Sequence, residues 1–336
     1  MGEQANRFIE QLKNRCRGNR KILCFTEGDD PRIIAAANGL VSDDLAGTVV
    51  LLGDPYLIQQ QAHDHGLPLS SRVILGGERW PKLPSECREA SARYFQRKNK
   101  PQPEGYRPET DTYLQGAVLL NQGNVAAVVS GARATTADVI RTGLRHVGTA
   151  PGTKTISSCF LLTRTHQAQE DTVIFADCGV VAEPTEDQLF DIAKSSLALW
   201  KQATQNDEPR VAFLSFSTHG SADHPTCRKM AQAYQRFAKA FPSIRCDGEI
   251  QFDAAVIPEI SQKKSPNSPL EGRANIFIFP NLEAGNIAYK IAQRWGNFSA
   301  FGPILLGFNQ PFIDLSRGAT IVDITMSACV ALIMAQ

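Results

Sequence analysis

Lys21-Ile22-Leu23-Cys24-Phe25-Thr26-Glu27-Gly28-Asp29-Asp30-Pro31 gives the pattern on which the whole chain is built. The apolar run over 21–26 predicts a short buried strand. Asp30 before Pro31 predicts a helix start: a carboxylate accepts from amides that have no partner yet, and proline sits where an N–H would be idle. The same pattern follows at once. Ala46 to Leu52 reads as a second strand, Gly53-Asp54-Pro55 opens a helix to about His65, and Arg72 to Leu75 is a third strand. Strands alternating with helices at short intervals predict a mostly parallel sheet with helices on both faces.

Upstream, residues 3–17 read as an opening helix; downstream, Pro81 to Lys100 is a charged helix broken by Pro101 to Pro108. Thr110 to Gln122 is a helix that leads into a strand over Asn124 to Val129. Its loop is Ser130-Gly131-Ala132-Arg133-Ala134-Thr135-Thr136, followed by a helix over Ala137 to His146. Small residues leave backbone amides open, and the helix points its positive end at the loop, so an anion site is expected from Ser130, Gly131, Arg133 and Thr136. A plain strand–turn–helix junction has the same outline. The texture changes after Gly148, which places a domain boundary near Ala150. Beyond it, strands are expected over 155–163, 172–176, 210–216 and 275–279, with helices over 184–202, 225–241 and 285–295. Residues 247–255 alternate acidic and apolar, which predicts a strand with one polar face, and 263–272 reads as a loop.

Near the C-terminal end, the apolar run Ala300 to Phe308 reads as a buried strand. Asp314-Leu315-Ser316-Arg317-Gly318 then forms a polar loop, and a helix occupies about 324–334 with Asp323 at its start. The loop offers a hydroxyl, a guanidinium, a glycine that admits a ligand to the backbone, and a carboxylate. An oxyanion needs the first three, and removal of a proton needs the fourth.

Composition narrows the function classes. A chain of 336 residues exceeds what one core usually fills, so two domains are expected. A net charge of +1 argues against nucleic-acid or membrane binding driven by bulk charge. No apolar run approaches the roughly 20 residues that a bilayer requires, and Met1 to Arg20 is polar, without the apolar core of a secretion signal. The eight cysteines are scattered without a Cys-x-x-Cys pair, as reduced thiols of a cytoplasmic protein would be. No metal-ligand spacing surrounds His219 and His224, so no metal is expected. There is no Gly-x-Gly-x-x-Gly after the first strand, and Gly148 to Thr155 has the wrong spacing for a nucleotide P-loop. The missing dinucleotide fingerprint, together with the lack of a metal-binding carboxylate cluster, speaks against a nicotinamide-dependent dehydrogenase.

Several segments together resemble the phosphate acetyl/butyryltransferase family, its acetyl-transferring members most closely. They are Leu214-Ser215-Phe216-Ser217-Thr218-His219-Gly220-Ser221 with His224-Pro225, Asp247-Gly248-Glu249-Ile250-Gln251-Phe252-Asp253-Ala254-Ala255, and Phe279 to Arg294. Phe175-Ala176-Asp177-Cys178, Thr136 to Arg141, Gly302-Pro303-Ile304 and Asp314 to Gly318 complete the set, in the family's order over almost the whole chain. The resemblance implies two three-layer α/β domains of the isocitrate/isopropylmalate dehydrogenase type with the active site in a cleft between them. By that reading residues 1–149 with 303–336 form the first domain, and 150–302 form the second, through which a homodimer is expected.

The implied chemistry is reversible acetyl transfer, in which acetyl-CoA and phosphate give acetyl phosphate and CoA with no prosthetic group. Carried over by motif, Asp323 is the base for the CoA thiol, Ser316 hydrogen-bonds near the thiol or carbonyl, and Arg317 holds the phosphoryl group. Arg141 and the basic stretch at Arg97 are expected to meet CoA or phosphate. Three positions depart from the family pattern. Ala319 stands where cysteine is frequent, Leu306 where glutamine is common, and Arg97-Lys98-Asn99-Lys100-Pro101 replaces Arg-Lys-His-Lys-Gly. A butyryl-transferring relative and a catalytically silent sensor of acetyl-CoA or acetyl phosphate are the alternatives; the joint presence of Ser316, Arg317 and Asp323 speaks against silence.

Overall fold

The computed structural model describes residues 6–166, 169–204 and 208–335. The chain forms two compact units. One runs from Ile9 to Pro151 and resumes at Phe308; the other spans Gly152–Gly307 and takes in residues 6–8. The elements before Gly152 are α1 (Asn6–Cys16), β1 (Ile22–Phe25), α2 (Pro31–Ser42), β2 (Thr48–Leu51), α3 (Pro55–Asp64), β3 (Val73–Leu75), α4 (Gly76–Arg79), α5 (Leu83–Arg97), α6 (Thr112–Asn121), β4 (Ala127–Ser130) and α7 (Thr136–His146). The helix expected over 3–17 is seen from Asn6, and residues 3–5 lie outside the described part.

Gly152–Gly307 contributes β5 (Ser157–His166), β6 (Gln169–Ala176), α8 (Glu186–Ala203), β7 (Arg210–Leu214), α9 (Pro225–Ala240), β8 (Arg245–Ile250), α10 (Phe252–Val256), α11 (Pro258–Lys264), β9 (Ile276–Ile278), α12 (Leu282–Arg294) and β10 (Ser299–Leu306). The chain then closes with β11 (Phe312–Asp314) and α13 (Ile321–Met334).

The first unit is the parallel sheet that the strand–helix alternation predicts, with strand order β11-β4-β1-β2-β3 among the described residues. Its helices start where the sequence places them. The Asp30 carboxylate accepts from Arg32 N with Pro31 in the first turn, and Asp54 does the same for Tyr56 N. The closing helix α13 is apolar all round because it is buried: Ile324, Met326, Cys329, Val330, Leu332 and Ile333 are all enclosed, and α13 packs on α2 and β4. Each such side chain contributes roughly 1.5–3 kcal/mol on leaving water. This packing anchors the start of α13, and with it Asp323.

The second unit holds a mixed sheet, β10-β5-β6-β9-β7-β8. β10 and β6 run antiparallel to β5, and the remaining pairs are parallel. Two expectations are corrected here. The apolar run at 300–308 is not the strand before the Ser316 loop. It is β10, bonded to β5 in the second sheet, so a boundary between 302 and 303 falls inside a strand, and the chain leaves the unit after Gly307. Residues 247–255 are not one strand: β8 ends at Ile250 and Phe252 opens α10. The acidic positions of β8 do not face water either. Asp247 and Glu249 are buried, Asp247 against the His219 ring and Glu249 receiving Ser217 Oγ and Gly220 N.

Candidate active site

The candidate site is built at the ends of β1, β4 and β11, where loops leave the parallel sheet toward helices, the usual place for ligands in such folds. β11 pairs with β4 so that Asp314 lies beside Ser130, and Leu315 N donates to Ser130 O at 2.7 Å. Sequence distance between the two loops is thereby removed: Ser316, Arg317 and Gly318 emerge next to the segment 130–136.

That segment is anion-binding in character, and its occupant is internal. The Glu27 carboxylate, 2% exposed, accepts from the amides of Ala132 (2.6 Å), Arg133 (2.9 Å) and Ala134 (3.0 Å) and from Tyr113 OH (2.7 Å). The backbone donors expected to cradle a phosphate are therefore taken. Ser130 is buried and its Oγ accepts from Thr26 Oγ1, while the Arg133 guanidinium forks onto Asp29. Thr136 Oγ1 donates to Asp314 Oδ2 at 2.5 Å. Ser130, Gly131, Arg133 and Thr136 thus shape the loop around protein carboxylates. Glu27, Asp29 and Tyr113 were missed in the sequence; the only cue was a pair of carboxylates at the end of the first strand.

Gly131 has a structural necessity of its own. Its φ is +94°, and a Cβ there would lie 2.0 Å from Asp314 Oδ1. Asp314 is 1% exposed, and its Oδ1 has no hydrogen-bond partner among the described residues. Burial first of all, with the nearby charge of Glu27, lifts its pKa from 3.8 to about 7, against the hydrogen bonds from Thr136 and Leu315 N. Because the folded pKa is the raised one, the native state keeps a proton that the unfolded chain releases. Stability should therefore fall as pH rises from about 4 to about 7 and level off above. Asp314→Asn is expected to abolish this slope, gaining up to roughly 2–3 kcal/mol on wild type between pH 5 and pH 8. Urea unfolding of both proteins at the two pH values checks this; parallel profiles rule it out.

Ser316, Arg317 and Gly318 are exposed. Ser316 Oγ accepts from Gly318 N at 3.3 Å, and Ser316 O accepts from Ala319 N. No partner of the Arg317 guanidinium is found among the described residues, whereas Arg32, Arg133 and Arg141 are paired with Asp30, Asp29 and Asp138. Asp323 is the third residue of α13 and closes a capping box. Its Oδ2 accepts from Thr320 N (2.9 Å) and Thr320 Oγ1 (2.8 Å), and Asp323 N donates back to Thr320 Oγ1. Such a box satisfies amides that otherwise have no partner at a helix start. It fixes the carboxylate's direction and leaves Oδ1 without a partner among the described residues.

A pocket of about 580 Å³ lies alongside, and Ala134, Tyr113, Arg141, Arg145 and His146 are among its lining residues. Arg145 stacks over Tyr94 and Phe95. Burial, with the charges of Arg145 and Arg97, lowers the His146 pKa to about 4 despite Asp111, so the ring is neutral near pH 7. Arg97 is exposed at the end of α5, close enough for its charge to act on that ring. Among the described residues, no group of three or more His, Cys, Asp or Glu is placed to hold a metal ion. All eight cysteines are free and buried. Burial raises the thiol pKa of Cys159 and Cys178, so neither is poised as a thiolate.

Known proteins resemble this chain over nearly its whole length. The family model described as Phosphate acetyl/butaryl transferase matches residues 7–332. A phosphate acetyltransferase of Treponema pallidum is 36% identical over 98% of this chain and 99% of its own length. One of Bacillus subtilis is 37% identical over 94% and 95%. Among solved structures, the EutD phosphotransacetylase from Staphylococcus aureus matches with a TM-score of 0.85 at 32% identity, covering 100% of both chains. A phosphotransacetylase from Streptococcus pyogenes matches with a TM-score of 0.85 at 33% identity, over 100% of this chain and 99% of its own. Matched by that family model over residues 7–332 and by these relatives over almost their full lengths, the chain belongs to the phosphate acetyl/butaryl transferase family, as an acyltransferase of the phosphate acetyltransferase kind.

Proposed function

We propose that the 316–323 loop carries the acetyl transfer between CoA and phosphate, in one complex holding both substrates. The observation that carries this reading is the Arg317 guanidinium, exposed and without a carboxylate partner among the described residues, between Ser316 and a helix whose first turn presents Asp323. In the direction of acetyl-CoA synthesis, Asp323 Oδ1 takes the thiol proton and the thiolate attacks the carbonyl carbon of acetyl phosphate. The carbonyl oxygen becomes an oxyanion, and collapse expels phosphate and forms the thioester. A thiol of unperturbed pKa roughly 8.5 is a difficult acid for a carboxylate, so the positive charge of Arg317 helps twice. It stabilises the thiolate, and its planar fork holds the departing phosphoryl oxygens. Ser316 Oγ donates to the developing oxyanion. Most of the remaining acceleration comes from holding the two substrates in line.

The pocket beside α7 is assigned to CoA, with Arg141 and Arg145 facing its phosphates and Arg97 at the rim. Acetyl rather than butyryl is the acyl group, in keeping with the names of the relatives above. The test is release of free thiol from acetyl-CoA plus phosphate by the purified chain, run beside butyryl-CoA. No release with either would return the chain to a sensing role, and faster release with butyryl-CoA would reverse the acyl assignment.

The chain is also assigned a homodimer and a cytoplasmic location. The dimer reading rests on α12, where Ile287, Ile291 and the C-cap residue Trp295, spaced about one turn apart, are 57%, 52% and 86% exposed. A stripe of that kind is costly to leave in water. Trp295→Glu with Ile291→Glu is expected to convert a dimer into a monomer by light scattering; an unchanged mass would discard this face. The location rests on the eight free thiols. Among the described residues, no helix is long and apolar enough to cross a membrane.

A further inference from the structure

Arg32, a residue absent from the chemistry above, reaches the Ser316–Ala319 loop from the start of α2. Its Nη1 donates to the carbonyl oxygens of Arg317 (2.9 Å) and Ala319 (3.0 Å). Its Nη2 donates to Ala132 O (3.2 Å) and to Asp30 Oδ2 (2.7 Å), and Nε donates to Asp30 Oδ1 (3.0 Å). All five N–H groups of the guanidinium are used, which is its full donor capacity. Asp30 aims the fork, and is itself fixed as the cap of α2 through Arg32 N.

We propose that Arg32 is a positioning residue for the transfer: it staples the backbone on both sides of Gly318 to the 130–133 loop and so sets the direction of the Arg317 and Ser316 side chains. The inference rests on the assignment of that loop to the transfer. Among the described residues, only two backbone–backbone bonds otherwise hold the loop, from Leu315 N to Ser130 O at its entry and from Ala319 N to Ser316 O across it. The second is local to the loop and does not fix it against β4. Gly318 adds freedom that must be cancelled elsewhere. A guanidinium can do this because its donors diverge in one plane; an ammonium, with three donors on one atom, cannot reach Asp30 and three carbonyls together. The neighbouring arginines do not substitute, because Arg133 is engaged with Asp29 and the role of Arg317 requires its own side chain to be open.

The experiment measures kcat and KM for acetyl phosphate and CoA in the full chain carrying Arg32→Ala, Arg32→Lys, Asp30→Asn or Arg317→Ala. Arg32→Ala is expected to lose about 100-fold in kcat, since displacement of reacting groups by about 1 Å costs that much. The KM for CoA should change little, as the pocket beside α7 does not depend on the staple. Arg32→Lys is expected to remain at least about tenfold below wild type. Millimolar guanidinium should restore part of the activity of Arg32→Ala and none of that of Arg32→Lys, a readout that a general loss of stability would not give. Asp30→Asn keeps an acceptor for the α2 cap while removing the charge that aims the fork, and is expected to fall between the two. It decides the matter if Arg32→Ala does not fold. Wild-type kcat in Arg32→Ala, or full activity in both Arg32→Lys and Asp30→Asn, overturns the inference. An inactive Arg317→Ala beside a normal Arg32→Ala removes the positioning role alone, whereas a normal Arg317→Ala removes the loop assignment itself.

Discussion

Asp323→Asn should lower kcat by about 10³-fold while leaving KM for both substrates within a small factor, the range for loss of a general base being roughly 10²–10⁴. The substitution is informative because Asp323 has two jobs that can be separated. One is the capping box with Thr320, in which only acceptor capacity is needed. Asparagine retains an acceptor oxygen, so α13 should start as before and thermal stability should hardly move. The other is proton abstraction, which asparagine cannot perform. Asp323→Ala removes both, and its additional loss of stability, about 1 kcal/mol, measures the cap alone. Turnover of Asp323→Asn at the wild-type level would reduce the residue to its helix-capping part. The base would then have to be sought elsewhere. Asp314 is unsuited: its unpartnered oxygen is buried against Gly131.

What could be read from the sequence follows the range of the interaction concerned. The strands β1 and β2 and the helices behind them are written locally, in apolar runs followed by Asp-Pro, and stand where that reading puts them. β11 could not be read in the same way. Three residues, Phe312-Ile313-Asp314, carry no periodicity, and the much stronger apolar run just upstream invites the assignment that belongs to them. Pairing decides between the two. β10 meets β5 about 140 residues back, and β11 meets β4, so neither register is encoded nearby. The acidic positions of β8 failed for a related reason. Alternation marks two faces, but a polar face is solvated only if nothing polar packs on it, and here the 217–220 segment does.

The site divides along the same line. The residue types of the 130–136 loop announced an anion, and an anion is present, but Glu27 supplies it from more than 100 positions upstream. Arg133 and Arg141 looked like ligand-facing cations, and both carry carboxylate partners that sequence spacing alone does not reveal as exclusive. Arg141 with Asp138 is an exposed pair on one helix, worth only a few tenths of a kcal/mol, so an incoming phosphate can displace it. Arg133 forks onto Asp29 and is a poorer candidate for exchange.

Arg317→Ala should reduce kcat/KM by about 10³-fold in both directions, close to 4 kcal/mol of transition-state stabilisation. The phosphoryl group is present in acetyl phosphate and in the phosphate that leaves, so the guanidinium contacts it throughout. The loss should accordingly appear in the KM for phosphate and acetyl phosphate as well as in kcat. KM for CoA should stay nearly constant, because Arg141 and Arg145 remain in place in their pocket. Arg317→Lys restores charge without the fork and should regain only part of the loss, which separates bidentate recognition from simple attraction. Since a catalyst cannot alter the equilibrium between the acyl donors, forward and reverse efficiencies must fall by the same factor. Arg317 is exposed and its side chain has no structural partner among the described residues, so Arg317→Ala should melt within about 1–2 °C of wild type. Normal use of phosphate and acetyl phosphate by that variant would dismiss Arg317 as the anion clamp.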